Sequence, residues 1–334
     1  MLWQFVSFAI RHLRSRRHLS ERLRQELQTG VLQFTPKFSG RVAIHDIASQ
    51  VLEQNPGRVA WIPDYICNVV PMALERAGFQ IAIYETDQYL EPDRDQLQQI
   101  VRDPDCGLLL LSSIYGSSAG LDVARSENFR QLVVRHKVHV LVDICQDITL
   151  RHLVPQDYGP HLSATVSFNH KSFPGAMGGG MLSSMTPINT ERRITHAQAR
   201  ELYLRLSQRL LGGWRRQLTS AARKVGISTK APEYAACQNF PFGFTNYRMT
   251  RLQMIMALQG LQNLPRYYRR RQLRAARFNH VRATRHHLAS PLLILNRIDP
   301  AETHRIKAPY AQHGTPHQSQ RPELTVVHNN GFDD

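Results

Sequence analysis

Cysteine is scarce in this chain of 334 residues, and its four positions follow no paired pattern. There is no C-x-x-C unit and no histidine at metal-ligand spacing around Cys67, Cys106, Cys145 and Cys237. The sequence therefore indicates neither a disulfide framework nor a zinc site, and we predict no metal. Such cysteine usage is typical of the reducing cytoplasm, where we expect this protein to reside.

Long apolar runs are also missing, and none approaches the length of a transmembrane helix. The apolar start, residues 2–10, is short, and its positive charges follow it. That is the wrong order for a signal peptide. An interfacial helix on anionic lipid is one interpretation of this segment. We favour a helix that packs on the body of the protein or on a partner subunit.

Acidic residues are few: 26 against 42 lysines and arginines, which gives a formal net charge of +16. Such an excess is typical of proteins that bind nucleic acid, an anionic membrane or a phosphorylated ligand. The basic residues concentrate at 11–24, 192–223 and 266–285, all with helical periodicity. Because no helix-turn-helix, RNA-binding or zinc pattern accompanies them, we interpret these stretches as solvated helix faces and predict no nucleic-acid partner.

Lysine is rare among these basic residues, with only six in the chain. One of them, Lys171, follows a predicted strand end at 164–168 and precedes a glycine-rich turn and a second strand at 181–184. Glycines allow backbone to approach a ligand closely, and lysine, unlike arginine, can form a Schiff base. This context favours amine chemistry at Lys171. The alternative is an ordinary surface lysine at a strand end.

The first two thirds of the chain alternate helices with short strands that are apolar throughout. Strands are predicted at 58–62, 80–84, 107–112 and 138–142, and helices at 41–53, 69–78, 94–101 and 127–136. This pattern is typical of a mostly parallel sheet covered on both faces, a three-layer α/β/α fold. Ligands of such sheets bind at the carboxyl ends of the strands. Asp143, Lys171 and the pair Ser112-Ser113 fall at those ends.

The domain organisation follows from changes in pattern along the chain. We predict a basic N-terminal helix at 1–34, a large domain at 35–245, a small, mainly helical and incomplete domain at 246–295, and a loosely ordered tail at 296–334. Residues 34–38 break the pattern between the first two regions. The later helices are expected at 192–223, 248–261 and 266–288.

A site that transfers amines with pyridoxal phosphate (PLP) needs three kinds of group. A lysine holds the cofactor, a carboxylate faces the pyridine nitrogen, and amides at a helix N-terminus with small hydroxyls hold the phosphate. The sequence offers Lys171, Asp143, the helix start Ser39-Gly40-Arg41, and Ser167 in these places.

Those residues also lie in segments that resemble the DegT/DnrJ/StrS sugar aminotransferases, which are PLP enzymes of fold type I. The resemblance spans roughly residues 39 to 288. In family order, the matching segments are Ser39 to Ala43, Ile62 to Tyr65 ("PSYT"), Ala77 to Phe79 ("AGA"), Ile114 to Gly116 ("LYG"), Val142 to Gln146 ("EDAAQ"), Ser167 to Gly179 ("SFxxxK…GEGG") and Asn246 to Gln253 ("NYRMTELQ").

The resemblance implies a role for each matching residue. Lys171 and Asp143 are the catalytic pair, as Schiff-base lysine and partner of the pyridine nitrogen. The cofactor-binding set adds Gln146 near the phenolic oxygen, Tyr65 against the ring, Gly40, Arg41 and Ser167 at the phosphate, and Asn246 at the phosphate of a neighbouring subunit. A homodimer with shared active sites follows. Turn and helix-capping roles are the alternatives for Asp143, Gln146, Ser167 and Asn246.

The expected function is a PLP-dependent aminotransferase that acts on a nucleotide-linked keto-sugar with an amino-acid donor such as glutamate. The sequence departs from the family pattern at several places, and these departures leave other functions open. Lys171 comes one residue early after Ser167-Phe168, Cys67 stands where an aromatic ring is usual, and the tail does not resemble the family's last strands. A catalytically silent relative with a binding or regulatory role is therefore one alternative. A sugar dehydratase is another, because His170 precedes Lys171 and a histidine replaces the lysine in such relatives.

Overall fold

A computed structural model of the chain describes residues 15–27, 30–67, 69–87, 91–113, 118–145, 148–168, 178–185, 192–195, 247–275, 293–297 and 324–328. Residues 196–223 of the predicted helix at 192–223 and most of the tail after residue 297 lie outside these ranges. The start of that predicted helix is wrong, because residues 192–195 are not helical and Arg192 forms a parallel β-bridge with Tyr247.

Helices and strands alternate through the large domain, as the sequence pattern predicts. In chain order the elements are α1 (Arg16–Leu27), β1 (Gln33–Lys37), α2 (Gly40–Gln54), β2 (Val59–Pro63), α3 (Val69–Ala77), β3 (Gln80–Tyr84), α4 (Arg94–Arg102), β4 (Cys106–Ser112), α5 (Ala119–Ala124), α6 (Glu127–His136), β5 (His139–Asp143), β6 (Leu162–Ser167), β7 (Gly179–Ser183), α7 (Arg251–Ala275), β8 (Leu293–Arg297) and β9 (Leu324–His328). Two short 3-10 helices, Ile148–Leu153 and Gly159–His161, join β5 to β6.

The central sheet has seven strands in the order β1-β7-β6-β5-β4-β2-β3. Strands β3, β2, β4, β5 and β6 pair in parallel. Strand β7 is antiparallel to both of its neighbours, β6 and β1. Because β1 therefore points the same way as β6, the carboxyl ends of six strands lie along one edge of the sheet. The predicted mostly parallel α/β architecture is confirmed.

Successive strand residues point to opposite faces of the sheet, and each face has its own core. Leu108 and Leu110 of β4 pack with the apolar sides of α2 and α3. Leu109 and Leu111 pack on the other face, with buried residues of α1, α4, α6 and α7. Strands buried on both faces are apolar throughout, which is why the sequence identified them as members of a parallel sheet.

Helix α1 covers part of the second core. Its residues Leu19, Leu23 and Leu27 are spaced four apart and are fully buried. The side chain of Arg16 also donates to the carbonyl of Met249, at 3.2 Å. This part of the basic N-terminal region thus packs on the body of the protein. No helix in the described ranges is long and apolar enough to cross a bilayer.

Two further expectations about secondary structure are wrong. Residues 34–38, expected only to break the pattern, lie mostly in β1, where Pro36 is tolerated because β1 is an edge strand. The break expected between the predicted helices at 248–261 and 266–288 does not occur, because α7 continues through Pro265 to Ala275, the last described residue of this region. Within the tail expected to be loosely ordered, residues 324–328 form β9, which pairs with β8 in an antiparallel sheet. The domain boundaries remain predictions.

Candidate active site

The candidate site is a row of polar residues at the carboxyl edge of the sheet. Ser112 ends β4 and pairs with Asp143, which ends β5 and pairs with Thr165 of β6. Farther along, Ser167 ends β6 and pairs with Gly179 of β7. Leu110 and Leu141, two residues before Ser112 and Asp143, belong to the core under α2 and α3. Ser112, Asp143 and Thr165 therefore face the side of the sheet that carries α2.

The carboxylate of Asp143 is held by two donors. Its Oδ1 accepts a hydrogen bond from the Cys145 backbone N–H at 2.9 Å and another from the Thr165 hydroxyl at 3.2 Å. Asp143 is only partly buried, so its carboxylate has a fixed orientation and is still accessible from the edge of the sheet. The bond to Cys145 shows that Asp143 stabilises the turn after β5, which is the alternative role that the sequence left open for it. This role in the turn is compatible with a contact between the same carboxylate and a ligand.

The start of α2 lies against this row. Ser39 is the N-cap: its hydroxyl accepts from the Val42 N–H at 3.4 Å, and its carbonyl accepts from the Ala43 N–H at 3.1 Å. A Cβ on Gly40 would lie 2.7 Å from the Sγ of Cys145 and 3.3 Å from the Cβ of Ser167. Only glycine permits this close approach at the helix start, where the helix dipole favours an anion.

Close backbone contact brings α2 to the sheet. A Cβ on Gly179 would lie 2.4 Å from the Gly40 nitrogen and 2.7 Å from both the Ser39 carbonyl carbon and the Val166 oxygen. The helix start therefore sits directly on Gly179, beside Ser167. The structure thus brings together Gly40 and Ser167 and places Asp143 one strand away, while Arg41 follows on the first turn of α2, half-buried.

Tyr65 lies in a neighbouring cleft at the same edge of the sheet. It is buried, and the cleft is lined by Pro63, Tyr65, Tyr84, Thr86, Pro92, Ser112 and Gly120. Because Ser112 pairs with Asp143, this cleft adjoins the row of polar residues. The hydroxyl of Tyr84 donates to the Leu110 carbonyl at 2.9 Å, and burial raises the pKa of Tyr84 far above its usual value, so Tyr84 forms part of the wall as a neutral group.

Three predicted site residues lie outside the described ranges: Lys171, Gln146 and Asn246. The described chain flanks the segment of Lys171 on both sides and resumes directly after Asn246. Phe168 donates its N–H to the Gly178 carbonyl at 2.9 Å, so the segment that carries Lys171 begins and ends beside Ser167 and Gly179. Tyr247, next to Asn246, contacts the ring of Phe38 edge-on at 5.9 Å between centroids. The described residues next to Lys171 and Asn246 in the chain therefore lie close to Phe38 and Ser39, the turn before α2.

Sequence reasoning missed a contact between α7 and that turn. Thr250 and Gln253 form a capping box: Thr250 N–H donates to the Gln253 side-chain oxygen at 2.9 Å, and Gln253 N–H donates to the Thr250 hydroxyl at 3.2 Å. The amide group of fully buried Gln253 then donates to the Phe38 carbonyl at 3.3 Å. The T-x-x-Q spacing predicts the box. Nothing in the sequence predicts its partner 215 residues away.

No protein-family model matches the chain, and comparison with curated proteins found no match. Solved structures with the same fold were found. The proposed sugar aminotransferase Spr1654 of Streptococcus pneumoniae, in its PLP form, is 17% identical over 88% of this chain and 75% of that one, with a TM-score of 0.56. DesV of S. venezuelae is 16% identical over 98% and 88% of the two chains, with a TM-score of 0.58.

A third similar structure is that of a mutant of the GDP-4-keto-6-deoxymannose-3-dehydratase ColD with bound GDP-perosamine. It is 14% identical over 94% of this chain and 88% of that one, with a TM-score of 0.55. At these identities the comparisons establish the fold, which is that of PLP enzymes of fold type I, and leave the chemistry to the site itself.

Proposed function

We propose that the protein is a PLP-dependent enzyme that aminates a nucleotide-linked keto-sugar, with an amino acid such as glutamate as donor. The observation that carries the proposal is the junction of α2 with the ends of β5 and β6. There a side-chain-free helix start at Gly40 meets Ser167 and lies one strand from the oriented carboxylate of Asp143. Fold neighbours described as a sugar aminotransferase and a nucleotide-sugar dehydratase support the substrate class.

The residues at the junction fit the parts of PLP. Backbone amides of Gly40 and Arg41, with the hydroxyl of Ser167, would hold the phosphate, because the absence of a side chain at Gly40 lets the start of α2 lie directly against Ser167. Asp143 would face the pyridine nitrogen, and its bonds to Cys145 and Thr165 fix the carboxylate for that contact. Tyr65 would lie against the ring from the neighbouring cleft.

The remaining roles come from the resemblance of the chain to sugar aminotransferases. Lys171 would carry the cofactor, Gln146 would lie near the phenolic oxygen, and Asn246 would reach the phosphate in a partner subunit, so we also propose a homodimer. When bound, PLP supplies an electron sink for reactions at the amino acid's α-carbon. Asp143 would keep a proton on the ring nitrogen, and Lys171 would accept and return the α-proton.

An absorbance titration with PLP, before and after glutamate, tests the proposal. We expect a visible band that forms on adding PLP and bleaches with glutamate, and a Lys171→Ala protein that lacks this band. A band that does not respond to any amino donor would indicate a protein that binds the cofactor but does not catalyse transamination. The absence of any band in the wild-type protein would contradict the proposal and favour a silent relative with a binding or regulatory role.

A dehydratase is the second candidate function, because His170 precedes Lys171 and ColD has the same fold. The two candidates differ in their product. An aminotransferase converts glutamate and keto-sugar stoichiometrically into 2-oxoglutarate and amino-sugar, whereas a dehydratase releases water from the sugar and retains no nitrogen in the product. Mass spectrometry of the sugar after incubation with ¹⁵N-glutamate distinguishes them.

A further inference from the structure

A buried ion pair in the described part of the chain has no role in the site described above. Lys37, the last residue of β1, is 1% exposed, and its Nζ lies 2.5 Å from Oδ2 of Asp46 on α2, whose side chain is 7% exposed. Within the described part of the chain, neither of these two atoms has a further hydrogen-bond partner. The two side chains therefore form a buried ion pair between β1 and α2, and its contacting atoms make no further hydrogen bond to the described residues.

The position of this pair relates it to the start of α2. Lys37 pairs with Gly179 on one side, and Ser167 pairs with Gly179 on the other. The start of α2 lies on Gly179, as the contact with the Gly40 nitrogen shows. Lys37 and Ser167 thus flank the helix start on the sheet, with Ser167 toward Asp143 and Lys37 on the outer side.

The ion pair also spans the turn that sets the direction of the helix. Only Phe38 and Ser39 separate the end of β1 from the start of α2, and Asp46 lies in the second turn of that helix. A link from Lys37 to Asp46 therefore fixes the helix to the strand on both sides of the turn. Gln253 holds the same turn from α7 through the Phe38 carbonyl.

Stability alone is a weak reason for such a pair. The cost of removing two charges from water offsets much of their attraction, and apolar replacements of similar volume are often neutral or stabilising. A buried ion pair whose two contacting atoms have no other hydrogen-bond partner among the described residues instead specifies one arrangement of the strand and the helix that carry it. The arrangement specified here is the placement of the amides of Gly40 and Arg41 relative to Ser167.

We propose that Lys37 and Asp46 are positioning residues for the anion-binding start of α2: their ion pair fixes the amides that receive the phosphate of the cofactor. This inference rests on the proposed function for the identity of the anion. The role is specific to the phosphate, because the pair lies on the outer side of the helix start, away from Asp143.

The test compares PLP with pyridoxal, which lacks the phosphate, in the full chain. The variant is Lys37→Met/Asp46→Leu, which removes both charges and leaves neither unpaired. We expect its Kd for PLP to rise by about tenfold or more, an effect of the size seen when the residues that orient ligand-binding groups are changed. Its Kd for pyridoxal is expected to stay within about twofold of the wild-type value.

Gln50→Met is the matched control, because Gln50 is also buried on α2, one turn beyond Asp46. Neither polar atom of the Gln50 side chain hydrogen-bonds to Lys37 or Asp46, so the substitution is expected to leave both Kd values unchanged. Equal weakening of PLP and pyridoxal in the double variant, or no weakening of either, would overturn the inference. Binding of PLP by the wild-type protein is measured first, so a failure of the proposed function is recognised separately.

A second measurement needs no cofactor. Hydrogen exchange of the cofactor-free protein, read on a peptide covering residues 38–43, is expected to be faster in the double variant than in the wild type and in Gln50→Met. Unchanged exchange there would contradict a positioning role, whatever the protein binds. The free energy of unfolding, measured in parallel, identifies any general loss of stability.

Discussion

At the scale of single residues, Asp143 combines a local and a chemical role. Its Oδ1 accepts from Cys145 and Thr165, and these bonds need an oxygen acceptor but no negative charge. The proposed contact with the pyridine nitrogen needs the charge. The two roles can therefore be separated by a substitution that keeps the shape and removes the ionisation.

Asp143→Asn is expected to fold normally and to slow the half-reaction with glutamate by about a hundredfold, a usual cost of losing one electrostatic contact at the reacting group. Thr165→Val is the control, since it removes a hydrogen bond to Asp143 while the charge remains, and only a few-fold loss is expected. Single-turnover spectra with glutamate measure both. A half-reaction in Asp143→Asn as fast as in the wild type would rule out the assigned role.

His139 shows how the burial of a titratable side chain can make stability depend on pH. It lies in the first position of β5, with Nε2 3.2 Å from the Ser163 hydroxyl, and burial, with a smaller contribution from His161, lowers its pKa from 6.5 to about 3. The folded protein therefore keeps His139 neutral at pH values where the unfolded chain protonates it. The free energy of unfolding therefore does not depend on the titration of His139 above pH 6.5. It decreases as the pH falls from 6.5 toward 3, because protonation stabilises only the unfolded chain in this range.

We expect the free energy of unfolding to fall with pH more steeply in the wild type than in His139→Gln, by about 1.4 kcal/mol per pH unit between about pH 6 and 4.5. Urea unfolding of both proteins across this range gives the difference, in which the effects of other titrating groups cancel. Parallel pH profiles would show that His139 is not kept neutral by the fold.

At the scale of elements, the packing of α2 on the sheet depends on Gly179. A side chain there would meet backbone atoms of Ser39, Gly40 and Val166, none of which can rotate away. We expect Gly179→Ala to destabilise the protein by about 3 kcal/mol, the upper range for overpacking, and to weaken PLP binding by more than about tenfold.

Gly159→Ala provides the comparison for Gly179→Ala. Gly159 has a φ of 57°, and an added Cβ would find no atom within 4 Å, so only backbone strain opposes it. We expect a cost of about 1–2 kcal/mol without a change in PLP affinity. Denaturant unfolding and PLP titration measure the two quantities. Wild-type affinity in Gly179→Ala would mean that the helix start does not depend on this contact.

Helix α7 contains a proline that the helix does not need for packing. Pro265 is exposed, and it has no N–H to donate to the carbonyl of Leu261, one turn earlier. Pro265→Ala is expected to raise the free energy of unfolding by about 1–3 kcal/mol, because an interior proline costs a helix about 3 kcal/mol relative to alanine. Exposed Gln262 serves as the control, since Gln262→Ala is expected to change stability by less than about 0.5 kcal/mol. A loss of stability in Pro265→Ala would contradict this expectation and show that the fold requires proline at this position.

At the scale of the whole molecule, the proposed homodimer makes a prediction about subunits mixed in solution. If Asn246 completes the site of the partner, a dimer of one Lys171→Ala chain and one Asn246→Ala chain has one intact site. Random association then restores about a quarter of the wild-type sites, because half of the dimers are mixed and half of their sites are intact.

The two variants are unfolded together and refolded, and PLP is then added in limiting amount. The amplitude of the bleaching caused by glutamate measures the number of restored sites. Each variant refolded alone provides the background. If Asn246 acted within its own chain, no mixed dimer would contain an intact site, and mixing would restore nothing above that background.

The sequence by itself determined the elements whose character is local. Strands buried on both faces must be apolar along their whole length, so β3 and its parallel neighbours were predicted within a residue or two. The position of Asp143 followed, because a polar residue after a buried strand lies at the carboxyl edge. Resemblance to known enzymes added roles for residues such as Lys171, whose surroundings remain a prediction.

Only the tertiary structure decided how the site is held. Strand β1 carries a proline and lacks a strand pattern, and it became a strand because β7, about 145 residues later, offers an edge to pair with. The contacts of Gly179 with Gly40, Lys37 with Asp46, and Gln253 with Phe38 join segments whose spacing carries no periodicity. Such contacts depend on how α2 is placed on the finished sheet, and local sequence preferences act only over a few neighbouring residues.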